Sequence, residues 1–342
     1  MSFLGAQDPH VTGVIEAAAD DIDDDDDNGY ADSTLGSDEA RYQMYNHIES
    51  ISRRASPVPL STRSQAAAYA GILQQEIDRL NLKHHMSTLL FDGKLHFAPI
   101  SRNPHRILDL GTGSGKWAVD AADEYPMAHV IATDITPIQP TVIPPNLEFL
   151  LQHDYNNDWN LPQNVFDLVF SRWNHLYIDD WRNFIRQAYI SLRPGGYIEL
   201  HEELHGYYSD DGTYSAQTNL YRWNARCREA MQRFPEREVD LTSDEIVGYM
   251  RDVGFEDVVV RTYKVPMNGW PKDETYKEIG RLQQAQLLMV VETGTKVLLK
   301  RALDIDEDES MDLVRRAMTD MKNRAIHAYQ KLYVIYGRKP DQ

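Results

Sequence analysis

The sequence predicts an α/β protein built on a mostly parallel sheet with helices on both faces, and three observations predict it. Apolar runs of four to six residues alternate with helical segments, the pattern of strands covered on both sides. One such run, Ile107-Leu-Asp-Leu110, passes straight into Gly111-Thr-Gly-Ser-Gly115 and then a helical stretch. A third, Val130-Ile-Ala-Thr133, closes on Asp134, nineteen residues after Gly115.

In chain order, an acidic tail comes first. Residues 1–40 hold twelve acids and no Lys or Arg, while the other 41 acids face 35 bases, so most of the net charge of −18 lies in the tail. Asp20–Asp27 has seven aspartates in eight positions. They repel one another and bury no apolar area, so residues 1–64 are expected to be a disordered acidic tail and, from Ser50, a Ser/Pro/Arg linker. The acid run offers an arm to a basic protein partner. Within the linker, Arg53-Arg-Ala-Ser56 has the form of a basophilic kinase site. No basic face disposes the remainder to nucleic acid. Met1–Asp8 lacks a secretory start, and no run approaches the ~20 apolar residues of a membrane span, which leaves the cytoplasm or nucleus. The single cysteine, Cys227, excludes an internal disulfide and lies in a helical stretch that gives no reason for a reactive thiolate.

Residues 65–340 form the folded domain. Ala70, Leu73, Ile77 and Leu80 repeat at helical spacing, and with Leu82–Phe91 they predict N-terminal helices over 65–100 that cover a ligand cleft. His84, His85 and His96 lie there without the thiolate or carboxylate company of a metal cluster, so no metal is assigned. The core, 101–265, starts with the glycine loop. Glycines at alternate positions let the backbone turn and approach a ligand closely, while the next helix directs its free N–H groups into the same space. A P-loop would need glycine where Leu110 stands and a hydroxyl where Trp117 stands; a dinucleotide fingerprint would need glycine at Lys116. Asp109, ahead of the loop, disfavours a pyrophosphate and suits an ammonium group, which favours S-adenosylmethionine (SAM). Asp134 takes the ribose-binding position at the tip of the second strand. Glu148–Asp154 predicts a third strand; Asp154 then either meets the adenine amino group or is a turn acid ahead of Asn156.

Val165–Phe170 predicts strand four, Trp181–Leu192 a helix, Pro194-Gly195-Gly196 a tight turn, and strand five follows within Arg193–Glu202. Parallel sheets bind ligands beyond the carboxyl ends of their strands, so chemistry is expected at Ser171–Tyr177 and Glu199–His205. Gly254–Tyr263 and Lys331–Tyr336 fit two last strands, with a helical insertion (266–325) between them and the final strand within 326–340. Leu287–Val291 and Val297–Leu299 suit a lid, a dimer surface or a helical core.

From about Leu90 to Pro340 the chain resembles the fungal LaeA-like class I SAM-dependent methyltransferases. The resemblance rests on Asp92-Gly-Lys-Leu-His96, Ile107–Gly115, Trp117-Ala-Val-Asp120, Ile138-Gln-Pro140, Arg186-Gln-Ala-Tyr189, Leu192–Gly196, Ser209-Asp-Asp-Gly-Thr213, Trp270-Pro-Lys-Asp273, Ile326-His-Ala-Tyr329 and Tyr333–Pro340. It implies a seven-stranded, Rossmann-like class I methyltransferase sheet. Carried over to matching positions, it places Asp109, Gly111, Gly113 and Gly115 against the methionine moiety, Asp134 on the ribose and Asp154 at the adenine. Lys116 departs from the apolar residue usual in related sequences, and Trp117 is expected to pack.

Methyl transfer from a sulfonium requires alignment and exclusion of water; a base is optional. His201 and Glu202, expected after strand five, are the first candidates for acceptor positioning or proton removal, and His175 the second. Phe170-Ser-Arg-Trp173 lacks the Asp/Asn-Pro-Pro-aromatic segment of amino-directed base methylation, and no Pro-Cys pair exists to attack a cytosine. Trp173, Tyr177, Tyr207 and Tyr208 favour a planar or amphipathic small molecule. The expected activity is methylation of an O or N acceptor in fungal secondary metabolism. The alternatives are a nuclear regulator of secondary metabolism acting through protein partners, or this fold recruited to a non-methylating reaction. A homodimer fits any of them.

Overall fold

The computed structural model describes residues 14–18 and 63–341, apart from 152 and 235–237. The Asp20–Asp27 run and the Arg53–Ser56 site lie outside the described residues. Val14–Ala18 lies against the domain: Ala17 forms an antiparallel bridge to Pro271, Ala18 N donates to Trp270 O and Lys272 N donates to Glu16 O.

A helix, α1 (Arg63–Leu90), leads into the sheet. It is continuous, where the periodicity predicts separate helices reaching residue 100. After it come β1 (Arg106–Leu110), α2 (Lys116–Glu124), β2 (His129–Asp134), β3 (Leu147–Leu151), β4 (Phe166–Arg172), a 3₁₀ turn at His175–Tyr177, α3 (Trp181–Ser191) and β5 (Leu192–Tyr208). The remainder is α4 (Asn219–Met231), α5 (Ser243–Val253), β6 (Glu256–Pro266), α6 (Glu274–Leu288), α7 (Val291–Leu303), α8 (Glu307–Lys322) and β7 (Tyr329–Arg338). The seven strands lie in the order β3-β2-β1-β4-β5-β7-β6. The first five run parallel, and β7 is antiparallel to both its neighbours.

Local chemistry sets the element ends. Asp180, Thr218, Asp273 and Asp306 each accept a backbone N–H from the first turn of the helix they precede, and Thr242 with Glu245 forms a capping box on α5. Gly254 ends α5 at φ 111°, a left-handed C-cap. The strands bury both faces. Ile107, Phe170 and Val334 pack under α1, α2 and α6, while Leu108, Val169, Ile198 and Ile335 pack under α3 and α5. The insertion is a core of its own: Val291, Val314, Ala317 and Met321 pack with Leu220 and Tyr207. Its apolar runs therefore belong to a helical interior. Among the described residues no helix is long and apolar enough to cross a membrane.

Two strand ends differ from the sequence expectation, and both differences move candidate residues. β5 runs on to Tyr208 because β7 continues to pair with it beyond the end of β4. His201 and Glu202 are therefore inside β5 and not after it. β3 stops at Leu151, leaving Asp154 three residues beyond it.

Candidate functional site

The site is built at the carboxyl ends of β1, β2 and β4. Gly111, Gly113 and Gly115 all take positive φ (68°, 59° and 79°), so the alternate glycines meet a backbone demand that L side chains resist. Two of them also have no room for a Cβ: one on Gly111 would lie 2.5 Å from the Asn174 side chain, and one on Gly115 would lie 2.6 Å from the Phe149 ring. Over Gly113 a Cβ would come within 3.2 Å of Leu80, because α1 lies across the loop. Asn81 fixes that approach by accepting a hydrogen bond from Ser114 Oγ (3.0 Å).

Asp109 and Asp134 hold the loop from either side. Thr112 Oγ1 donates to Asp109 (2.6 Å), and Asp134 accepts the N–H groups of Gly113 (2.7 Å) and Thr136 (2.8 Å). Burial pushes each carboxyl up to about 6, against the opposing pull of those hydrogen bonds. Gln139 Nε2 donates to the carbonyls of Gly113 and Thr136, completing the floor. Asp154 lies three residues beyond the end of β3. Its carboxylate accepts from Asn156 N (3.0 Å) and Asn157 Nδ2 (2.7 Å), the bonding of a turn acid.

The segment after β4 is held in an unusual geometry. Trp173 has φ 57°, a left-handed conformation that costs a residue with a bulky side chain on the order of 1–3 kcal/mol. Its N–H donates to His201 O, and its ring has Lys83 Nζ at 4.3 Å and the Arg172 guanidinium at 4.5 Å. Glu202, fully buried, accepts from the N–H groups of Asn174 (3.2 Å) and His175 (3.0 Å). Burial raises its carboxyl to about 8. Asn174 Nδ2 then donates to Leu110 O (2.9 Å), tying this segment to the end of β1.

Of the candidates for acceptor chemistry, His201 faces the α1 side of the sheet. It is 2% exposed, bonds Glu199 at 2.6 Å and is packed by the rings of Phe91 and Phe170; burial lowers its pKa. Glu199 also accepts the N–H groups of Phe97 and Ala98. Glu202 projects to the opposite face, and His175, buried, begins the 3₁₀ turn. The three side chains therefore do not converge. Among the aromatics, Trp173 follows β4 with Lys83 and Arg172 over its ring and Tyr177 is exposed; Tyr207 packs on Trp223 and Tyr208 stacks on Tyr329. Trp117 is a packing residue, stacked at 3.8 Å on Phe170. Lys116 pairs with Asp120 on the next turn of α2. Burial pushes the Cys227 thiol up to about 12.

Several residues of the site carry no motif in the sequence. Arg172 is half-buried, and its Nη2 donates to His84 Nδ1 (3.0 Å), while His84 Nε2 bonds Asp120 (2.8 Å). Lys83 pairs with Glu203 (3.1 Å). Arg79 reaches Gln286 (3.2 Å), from which a buried amide chain runs through Gln283 to Gln330. The insertion is thus connected to the helix that covers the loop. The signal available in advance was an arginine closing an otherwise apolar strand, at Arg172.

Fold and site together define a class I methyltransferase domain. Residues 82–260 match the family model of a methyltransferase domain, and the chain belongs to that family. Curated relatives agree. The chain is 32% identical over 268 residues to "Methyltransferase pytC" of Aspergillus terreus, covering 78% of this chain and 82% of that protein. It is 32% identical over 280 residues to "Secondary metabolism regulator LAE1" of Cochliobolus heterostrophus (79% and 89%) and 32% over 266 residues to "Probable methyltransferase tdiE" of Emericella nidulans (78% and 82%). The cofactor of such a domain is SAM, and the residues present fit it: a backbone cradle that side chains would fill, with one acid beside it and one at the tip of the adjoining strand.

Proposed function

We propose that this protein is a SAM-dependent methyltransferase that modifies an O or N acceptor of a small molecule in fungal secondary metabolism. The observation that carries the reading is the cradle of three positive-φ glycines between Asp109 and Asp134. When bound, SAM supplies an activated methyl group, so the protein's work is alignment and exclusion of water. Gly111, Gly113 and Gly115 admit the methionyl chain, and Asp134 has lone pairs left for ribose hydroxyls. Asp154 lies just beyond the end of β3, and each of its carboxylate oxygens keeps a lone pair, beside its turn bonds, for the adenine amino group. Trp173 and Tyr177 offer the acceptor its aromatic surface.

The proposed transfer uses no dedicated general base. Glu202 spends both carboxylate oxygens on the N–H groups of Asn174 and His175, which makes it the residue that positions that segment. His201 is oriented by Glu199 inside an aromatic cage, and His175 is ordered through Glu202. Both are positioning residues in this reading. The relative described as a secondary metabolism regulator favours a second reading, regulation through a protein partner. Metabolite profiles of a fungal strain carrying the intact chain or Gly113→Arg separate the two. Enzyme function predicts loss of one methylated product and accumulation of its counterpart lacking the methyl group. A broad fall of many unrelated products would favour regulation, and an unchanged profile would overturn the enzyme reading.

A further inference from the structure

Helices α4 and α8, with the end of α7, border a cavity of about 330 Å³, a volume in the range of small-molecule sites. None of its lining residues belongs to the cofactor site. Arg222 and Arg226 face it from α4, and Glu309, Asp312 and Arg316 face it from α8, each set at helical spacing. The floor is apolar: Leu299 and Ile305 are buried, and Leu313 packs against them.

The two helix faces run antiparallel. Asp320, near the end of α8, accepts the N–H groups of Asn219 (2.5 Å) and Leu220 (3.0 Å) at the start of α4. One turn along each helix from that junction sets Arg222 opposite Arg316, and the next sets Arg226 opposite Asp312 and Leu313. Carboxylates do not balance the arginines at that end. Asp312 is shared by Arg316 (2.8 Å) and Arg315 (3.7 Å), and Arg226 is paired with Glu229 (2.6 Å). The Arg222 guanidinium has no ion pair or side-chain hydrogen bond among the described residues. Two guanidiniums facing each other across a cavity repel, and an anion between them reverses that term. Glu309, also without an ion pair among the described residues, lies two turns from Arg316 and opposes a second negative charge at the other end.

We propose that this cavity binds an amphipathic organic monoanion: a carboxylate held between Arg222 and Arg316, on an apolar chain lying over Leu299, Ile305 and Leu313. Guanidinium matches carboxylate geometry through paired N–H donors, and the apolar floor selects the chain. The site is separate from the glycine cradle, and the assignment is independent of the SAM reading.

Calorimetric titration of the full chain with octanoate, octanol and acetate, each with and without S-adenosylhomocysteine, tests the assignment. Octanoate is expected to bind once per chain, equally in both conditions, and at least about 10-fold more tightly than octanol, which lacks the charge, or acetate, which lacks the chain. Arg222 and Arg316 are exposed, so Arg222→Ala and Arg316→Ala leave the core intact. Each should weaken octanoate by about 3- to 10-fold with octanol unchanged, the lower part of the range for a charged hydrogen bond because the side chains are exposed. Absence of saturable octanoate binding, equal affinity for octanol, or unchanged affinity in both variants would overturn the assignment. Displacement of octanoate by S-adenosylhomocysteine would also overturn it, by placing octanoate in the cradle.

Discussion

At the scale of single residues, the glycine loop makes the sharpest demand. Gly111→Ala and Gly115→Ala each place a Cβ in a left-handed conformation against Asn174 or Phe149. Each should cost on the order of 1–3 kcal/mol in denaturant unfolding and abolish SAM binding; wild-type affinity in either would contradict the cradle. Glu202 gives a pH signature. Its carboxyl rises from 4.5 to about 8 on folding, so the folded state holds a proton that the unfolded state releases between those values. Its contribution to stability is therefore complete below about pH 4.5 and declines as pH rises through about 8. Melting temperatures measured from pH 5 to 9 should fall with pH, and the fall should be smaller in Glu202→Gln; identical slopes would remove Glu202 as the cause. The loop was legible as a strand, alternate glycines and a helix, with Asp109 ahead of Gly111 and Asp134 ending the next strand. The Arg172–His84 hydrogen bond was not, because it forms only when α1 crosses the sheet, a contact between residues 88 apart in sequence. His201 and Glu202 were legible as chemistry-bearing types, while their opposite facing depends on how far β5 extends.

At the scale of elements, α1 is the cover and α6 supports it. Leu80 meets the loop at Gly113, Asn81 bonds Ser114, and Arg79 reaches the Gln286–Gln283–Gln330 chain. Ligand in the cradle should therefore be felt along α1. Hydrogen exchange of residues 76–84 is expected to slow on adding S-adenosylhomocysteine, and unchanged exchange there with protection at the loop would disconnect the helix from the site. Helical periodicity from Ala70 to Leu80 foretold a cover, yet not its continuity to Leu90. The reason is that propensity carries no information about where tertiary packing stops a helix.

At the scale of the whole molecule, the mostly parallel sheet and its two apolar faces followed from the alternation of strands and helices, since short apolar runs of this kind are buried on both sides. The insertion was less legible, because apolar runs in a helix look alike in a lid, an interface or an interior. Its packing decides for an interior: Leu299 and Val314 are both fully buried, in clusters separate from the cofactor loop. Val314→Ala should cost roughly 1–3 kcal/mol of stability with SAM affinity preserved, and a selective loss of affinity in a stable variant would return the insertion to the site. The central claim, a SAM cradle between Asp109 and Asp134, is tested most directly by calorimetric titration of the full chain with SAM. The account predicts saturable binding of one SAM per chain that Gly113→Arg abolishes. No binding by the intact chain, or equal binding by both, would contradict it.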